Sequence, residues 1–166
     1  GVQTCALPIW VVPNPATRAA LLARFYWPHH AALTAAMDGA LAAHGRCRIL
    51  DCHSFAAVAL PYELDQAPTR PDICLGTDLF HTPPALYERA DALFRAAGFT
   101  VARHRPFTGT MVPSSHYRKT RAVESLMIEV NRGLYLDSTT GARGSGFDAL
   151  RQALTPILSA LVRTDT

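Results

Sequence analysis

An apolar run that ends in an acid, a histidine and a serine, Arg48-Ile49-Leu50-Asp51-Cys52-His53-Ser54-Phe55, restricts this chain more than any other stretch. Side chains alternate across a strand, so Asp51 and His53 project from one face, and Cys52 and Ser54 from the other. Carboxylate and imidazole thus arrive together at a strand's C-terminal end, where open α/β sheets place ligands and chemistry. A second apolar run, Ser125-Leu126-Met127-Ile128-Glu129-Val130, followed by Asn131-Arg132, delivers another carboxylate in the same way. The two strand ends are expected to share one active site.

Helical and extended patterns alternate around these runs. Residues 16–25 have apolar residues at helical spacing, and Pro28 suits the first turn of a second helix that runs to about His44 and stops at Gly45. Residues 54–70 read as a loop over the sheet's ligand edge, 71–78 as a short strand, and 84–97 as an amphipathic helix ended by Gly98. Residues 99–103 form the next strand, and the prolines and glycine of 106–113 shape a loop. A last helix over 147–162 is expected to kink or divide at Pro156. This order predicts an α/β fold in three layers, with a mixed, mostly parallel sheet flanked by helices. With 49% hydrophobic and 17% charged residues, 166 residues suffice for one domain with a sizeable core.

The first nine residues, Gly1 to Ile9, resemble the in-frame translation of a sequencing adapter. They are set aside from fold reasoning, which leaves residues 10–166 as a single partial domain whose natural start is expected upstream of Trp10. The stretch Trp10-Val11-Val12-Pro13-Asn14-Pro15 reads as an extended entry, because its two prolines oppose a helix.

Charge and cysteine usage narrow the function classes. The formal charge of +3 is small and the basic residues are scattered, which disfavours a nucleic-acid partner. No apolar run approaches the roughly 20 residues that cross a bilayer, so no membrane role is expected. Cys5, Cys47, Cys52 and Cys74 show no CxxC spacing; a reduced, cytoplasmic set is expected, with Cys47 and Cys52 as small core fillers.

Glu129 lies in an otherwise apolar strand, where an unpaired buried carboxylate is expensive and is kept when partnered or used. Two readings stand: an ion pair with Arg132 or another arginine, or a catalytic base. His53 is likewise either a metal ligand whose tautomer is set by Asp51, or a strand-end histidine bonded to Asp51. Arg132, Arg118 and Arg121 are candidates for gripping an acidic substrate, because guanidinium forks match carboxylates; solvated loop charge is the alternative. The sequence has no Gly-rich phosphate loop, and Ser54 lacks the flanking glycines of a nucleophile elbow.

Taken together, Asp51-Cys52-His53-Ser54-Phe55, Pro71-Asp72-Ile73-Cys74-Leu75-Gly76-Thr77, Pro106-Phe107-Thr108-Gly109-Thr110 and Met127-Ile128-Glu129-Val130-Asn131-Arg132-Gly133-Leu134-Tyr135 resemble the N-formylglutamate amidohydrolase family. The resemblance implies a zinc-carboxypeptidase-like fold and metal-dependent hydrolysis of an N-acyl amide, giving formate and glutamate in the namesake reaction of histidine degradation. It further implies that His53 is a zinc ligand and that Glu129 activates the metal-bound water. Arg132 would hold a substrate carboxylate or the developing oxyanion. The family's N-terminal histidine strand and a further acidic ligand have no counterpart after Trp10, so one of three zinc ligands is visible. The chain alone is then expected to be inactive, unless His29, His30 or His81 replaces the missing ligands. Alternatives are a related zinc hydrolase acting on another acylated acidic amino acid or peptide, or a non-catalytic domain that keeps only the sheet.

Overall fold

The structure, a computed structural model, describes residues 14–163. The adapter-like residues 1–9 and the entry as far as Pro13 lie outside the described residues. Three helical pieces lead in: α1 (Pro15–Leu21), a π-helical turn (Leu22–Tyr26) and α2 (Trp27–His44). Pro15 thus opens a helix instead of closing the extended entry, with the Asn14 side chain accepting the Thr17 N–H at 2.8 Å as its cap. Two separate helices were expected here, but the run is continuous. Pro28 has no N–H for an ordinary helical bond, and the chain widens just before it, where the Trp27 N–H reaches the Leu22 carbonyl. At the other end Gly45 adopts φ +69° and donates to the Leu41 carbonyl at 2.8 Å, a left-handed cap that suits glycine.

The strands are β1 (Cys47–Phe55), β2 (Ile73–Gly76), β3 (Val101–Arg103) and β4 (Val123–Asn131), with α3 (Pro84–Ala96) between β2 and β3 and α4 (Phe147–Val162) last. They form one mixed sheet in the order β1-β4-β2-β3. The β1–β4 and β2–β3 pairs are parallel, and β2–β4 is antiparallel. The sheet therefore matches the expected α/β architecture. Among the described residues β1 is an edge strand, and Cys52 is exposed rather than a core filler; the buried cysteine is Cys74. Contrary to expectation, α4 is a single helix through Pro156, and the Thr155 hydroxyl donates to the Arg151 carbonyl at 2.8 Å in the turn before it.

The sheet's two faces have separate jobs. Ile73, Leu75, Leu126 and Ile128 pack against Leu86, Ala90 and Phe94 of α3 and Ile157 and Leu161 of α4, and this is the main core. The opposite face carries Asp51, His53, Cys74, Met127 and Glu129, and is approached by the 104–122 segment. That segment is tied to α2 by His116 Nε2 and Asp38 Oδ1 at 2.7 Å. Phe94 is fully buried in the core, so Phe94→Ala is expected to lower unfolding free energy by about 3–5 kcal/mol, read as an earlier urea midpoint.

Candidate active site

Strand pairing on both sides of β4 sets the site. In the β1–β4 register His53 stands opposite Glu129, and in the β2–β4 register Cys74 stands opposite Glu129. Residues opposite one another share a face, so imidazole, carboxylate and thiol converge on the side away from the main core.

Asp51 has both oxygens engaged. Its Oδ1 lies 2.7 Å from His53 Nε2, and its Oδ2 accepts the Met111 N–H at 2.9 Å. In the neutral ring a carboxylate partner draws the proton to Nε2, which leaves the Nδ1 lone pair of this half-exposed side chain uncommitted to Asp51.

Glu129 is only 7% exposed, and its Oε2 is buried without a hydrogen-bond partner. Burial pushes its carboxyl above the usual carboxylate range. His53 and Arg132 oppose that rise, while the charges of Asp51 and Glu63 add to it. A carboxyl so placed takes up a proton more readily than a solvated one. The ion-pair reading of Glu129 does not describe this oxygen. Arg132 instead donates to the Ser54 carbonyl at 3.3 Å. Burial also raises the Cys74 thiol, whose Sγ donates to the Phe107 carbonyl at 3.2 Å, so a neutral thiol lines the site.

Two cavities flank these strand ends. One of about 390 Å³ is walled by Ala56, Ala57, Leu60, Arg132, Gly133 and Asp137. The other, of about 340 Å³, lies between His53, Val130, Tyr135, Phe147, Leu154 and Leu158 and is mainly apolar.

The structure does not bring Arg118 and Arg121 to this end. The Arg118 N–H donates to His81 Nε2 at 2.8 Å, and Arg121 Nη1 donates to the Phe80 carbonyl at 3.2 Å. His81 in turn bonds the Val123 carbonyl at the start of β4, about 20 Å from Glu129 at the usual strand rise. Sequence reasoning also passed over Met111, whose backbone N–H holds Asp51, and a buried ion pair between Arg70 and Glu63. The second had a faint signal in the sequence, one arginine closing a loop that contains Glu63 and Asp65.

A hydrolytic zinc usually has three protein ligands and an open position. Among the described residues no group of three or more His, Cys, Asp and Glu side chains is placed to hold a metal ion. His81 has both ring nitrogens committed, to the Val123 carbonyl and the Arg118 N–H. His29 and His30 sit against each other on α2, with His30 against Tyr26. His53 offers one nitrogen, so the described residues alone do not fit a complete catalytic zinc site. Among them, no helix is long and apolar enough to cross a membrane.

The sheet therefore presents a buried carboxyl and an imidazole at adjacent strand ends, beside cavities. The family model for N-formylglutamate amidohydrolase matches residues 2–136. Among solved structures, N-formylglutamate amidohydrolase from Ralstonia eutropha matches at 32% identity and a TM-score of 0.79, over 89% of this chain and 55% of that one. A gene product of Agrobacterium tumefaciens matches at 18% identity and a TM-score of 0.61, over 92% of this chain and 58% of that one, and shows the fold alone. The chain therefore spans little more than half the length of the solved structures it matches. No curated protein matches it. The chain belongs to the N-formylglutamate amidohydrolase family.

Proposed function

We propose that these strand ends serve the hydrolysis of a small N-acyl acidic amino acid, with N-formyl-L-glutamate yielding formate and L-glutamate in histidine degradation. The observation that carries this reading is Glu129: a buried carboxyl with an unbonded oxygen, on the same sheet face as His53. Glu129 would take a proton from the attacking water and return it to the leaving amine. Asp51 would hold the His53 ring in one tautomer and orientation. Arg132 would meet the substrate carboxylate. Zinc dependence belongs to the proposal, with His53 as one ligand and the others outside the described residues; zinc held there would supply Lewis acidity and lower the pKa of water. A second reading, in which a larger acyl group is removed, takes the apolar cavity that His53 borders at the β1 edge, on the α4 side of the sheet, as room for that group.

Zinc per chain after dialysis decides which protein is assayed. Near one, the 166 residues hold the metal and are assayed as they are. Near zero, the assay moves to a longer chain that contains the same strand ends. Formate release from N-formyl-L-glutamate that stops with a chelator is the expected result. Absence of release, together with turnover of acetyl- or octanoyl-glutamate, would favour the second reading, and no turnover of any acyl amino acid would overturn both.

A further inference from the structure

The long loop between β1 and β2 carries no helix or strand, yet it is ordered around one buried side chain, Arg70. The Arg70 side chain is 1% exposed and pairs with Glu63, itself 7% exposed. Its guanidinium also donates to the Ala56 carbonyl at 3.1 Å and to the Asp65 carbonyl at 3.0 Å, and lies 5.7 Å from the centre of the Phe55 ring. Gln66 fastens the same loop by donating to the carbonyls of Leu60 at 2.9 Å and Glu63 at 2.7 Å. Ala56, held by Arg70, and Leu60, held by Gln66, form part of the wall of the 390 Å³ cavity that faces Arg132.

Stability alone is a poor reason for such a pair. Burying two charges costs much of what their attraction returns, and Arg70 Nε is buried without an acceptor. Charge offers a rival role, which the double variant below separates from the tether. Asp51 and Glu129 already place two carboxyl groups at the site, and Glu63 is close enough to act on Glu129. An unneutralised Glu63 would repel an acidic substrate.

We propose that Arg70 is a positioning residue for the substrate: it ties the Ala56 end of the cavity wall beside Arg132 to Glu63 and Asp65 further along the loop, so that this cavity becomes the pocket for the substrate's amino-acid part. The proposal rests on the reading given under Proposed function. Arg70 touches no reacting atom; it acts through the wall it holds.

The variants are Arg70→Lys, which keeps a cation but loses the fork, and the pair Arg70→Met with Glu63→Gln, which removes the buried charges as well as the tether. Hydrogen exchange on the 166-residue chain reads the loop. In Arg70→Lys, amides of residues 56–70 are expected to exchange about tenfold faster or more, with β4 amides unchanged. Steady-state kinetics on the zinc-loaded protein that turns over N-formyl-L-glutamate read the pocket. A loss on the order of a hundredfold in kcat/KM, carried mainly by KM, is expected for both variants. Unchanged loop exchange in Arg70→Lys would overturn the proposal, as would recovery of KM in the double variant, since that would make Glu63's charge the cause. Lack of turnover by the unsubstituted protein would sink the proposed reaction and the pocket with it, whereas exchange still decides whether Arg70 holds the loop.

Discussion

Glutamine in place of Glu129 is expected to cut amide hydrolysis by about 10²–10⁴-fold and, at neutral pH, to make the fold more stable. The two effects share a cause. The carboxyl sits at 7% exposure with one oxygen lacking any hydrogen-bond partner, so its ionised form is penalised by burial. That penalty raises its folded-state pKa above that of the unfolded chain. Below the unfolded value both states are protonated and no penalty exists. As pH climbs past the unfolded value and then the folded one, the unfolded chain ionises first and stability is lost. Glutamine imitates the protonated form and escapes the loss. Its advantage should be absent near pH 4 and, at pH 8, be on the order of 1 kcal/mol. Thermal melting at the two pH values measures it. Equal melting shifts at both would mean that ionisation of Glu129 is not the source, and turnover within a few-fold of the unsubstituted enzyme would remove Glu129 from the chemistry.

Gly76→Ala is expected to damage both the sheet and the site. Gly76 ends β2 on the face shared with Met127, and a Cβ there would collide with the Gly109 carbonyl oxygen and with Met127 Cε. The methionine end can swing away; the backbone carbonyl cannot without moving its loop. Overpacking of this kind costs about 1–3 kcal/mol, and a backbone obstacle belongs at the upper end. Moving Gly109 also moves Met111, two residues on, whose N–H holds Asp51 Oδ2 at 2.9 Å. Asp51 in turn holds His53. The variant should therefore show a lower urea midpoint together with changed chemical shifts for the His53 ring. A midpoint within error of the unsubstituted chain would show that the loop yields freely.

His53, Asp51 and Glu129 were legible because polar groups ending apolar strands violate the burial pattern around them. Arg118 and Arg121 lie at the other end of β4, because closeness to the strand along the chain says nothing about which of its ends is meant. They precede Val123, while the candidate chemistry sits six residues further on at Glu129. Arg70 was passed over for the opposite reason. It lies in a loop, where exposure is the default for arginine, and only the fold shows its guanidinium shut in with Glu63. The helical lead-in was expected as two helices because Pro28 opposes continuation; a π-helical turn, which local pattern does not announce, absorbs the conflict.

By itself the sequence determined the strands, most of the helical segments and which strand ends carry acid and imidazole, since these follow from local periodicity and from the cost of burying charge. Only the tertiary structure decided that β4 lies between β1 and β2, parallel to one and antiparallel to the other. That order places Glu129 opposite both His53 and Cys74, leaves Arg118 and Arg121 at the far end, and shuts Arg70 into the loop beside the site. Strand order is set by which apolar faces pack together across the whole chain, a choice made by long-range burial that no short stretch encodes.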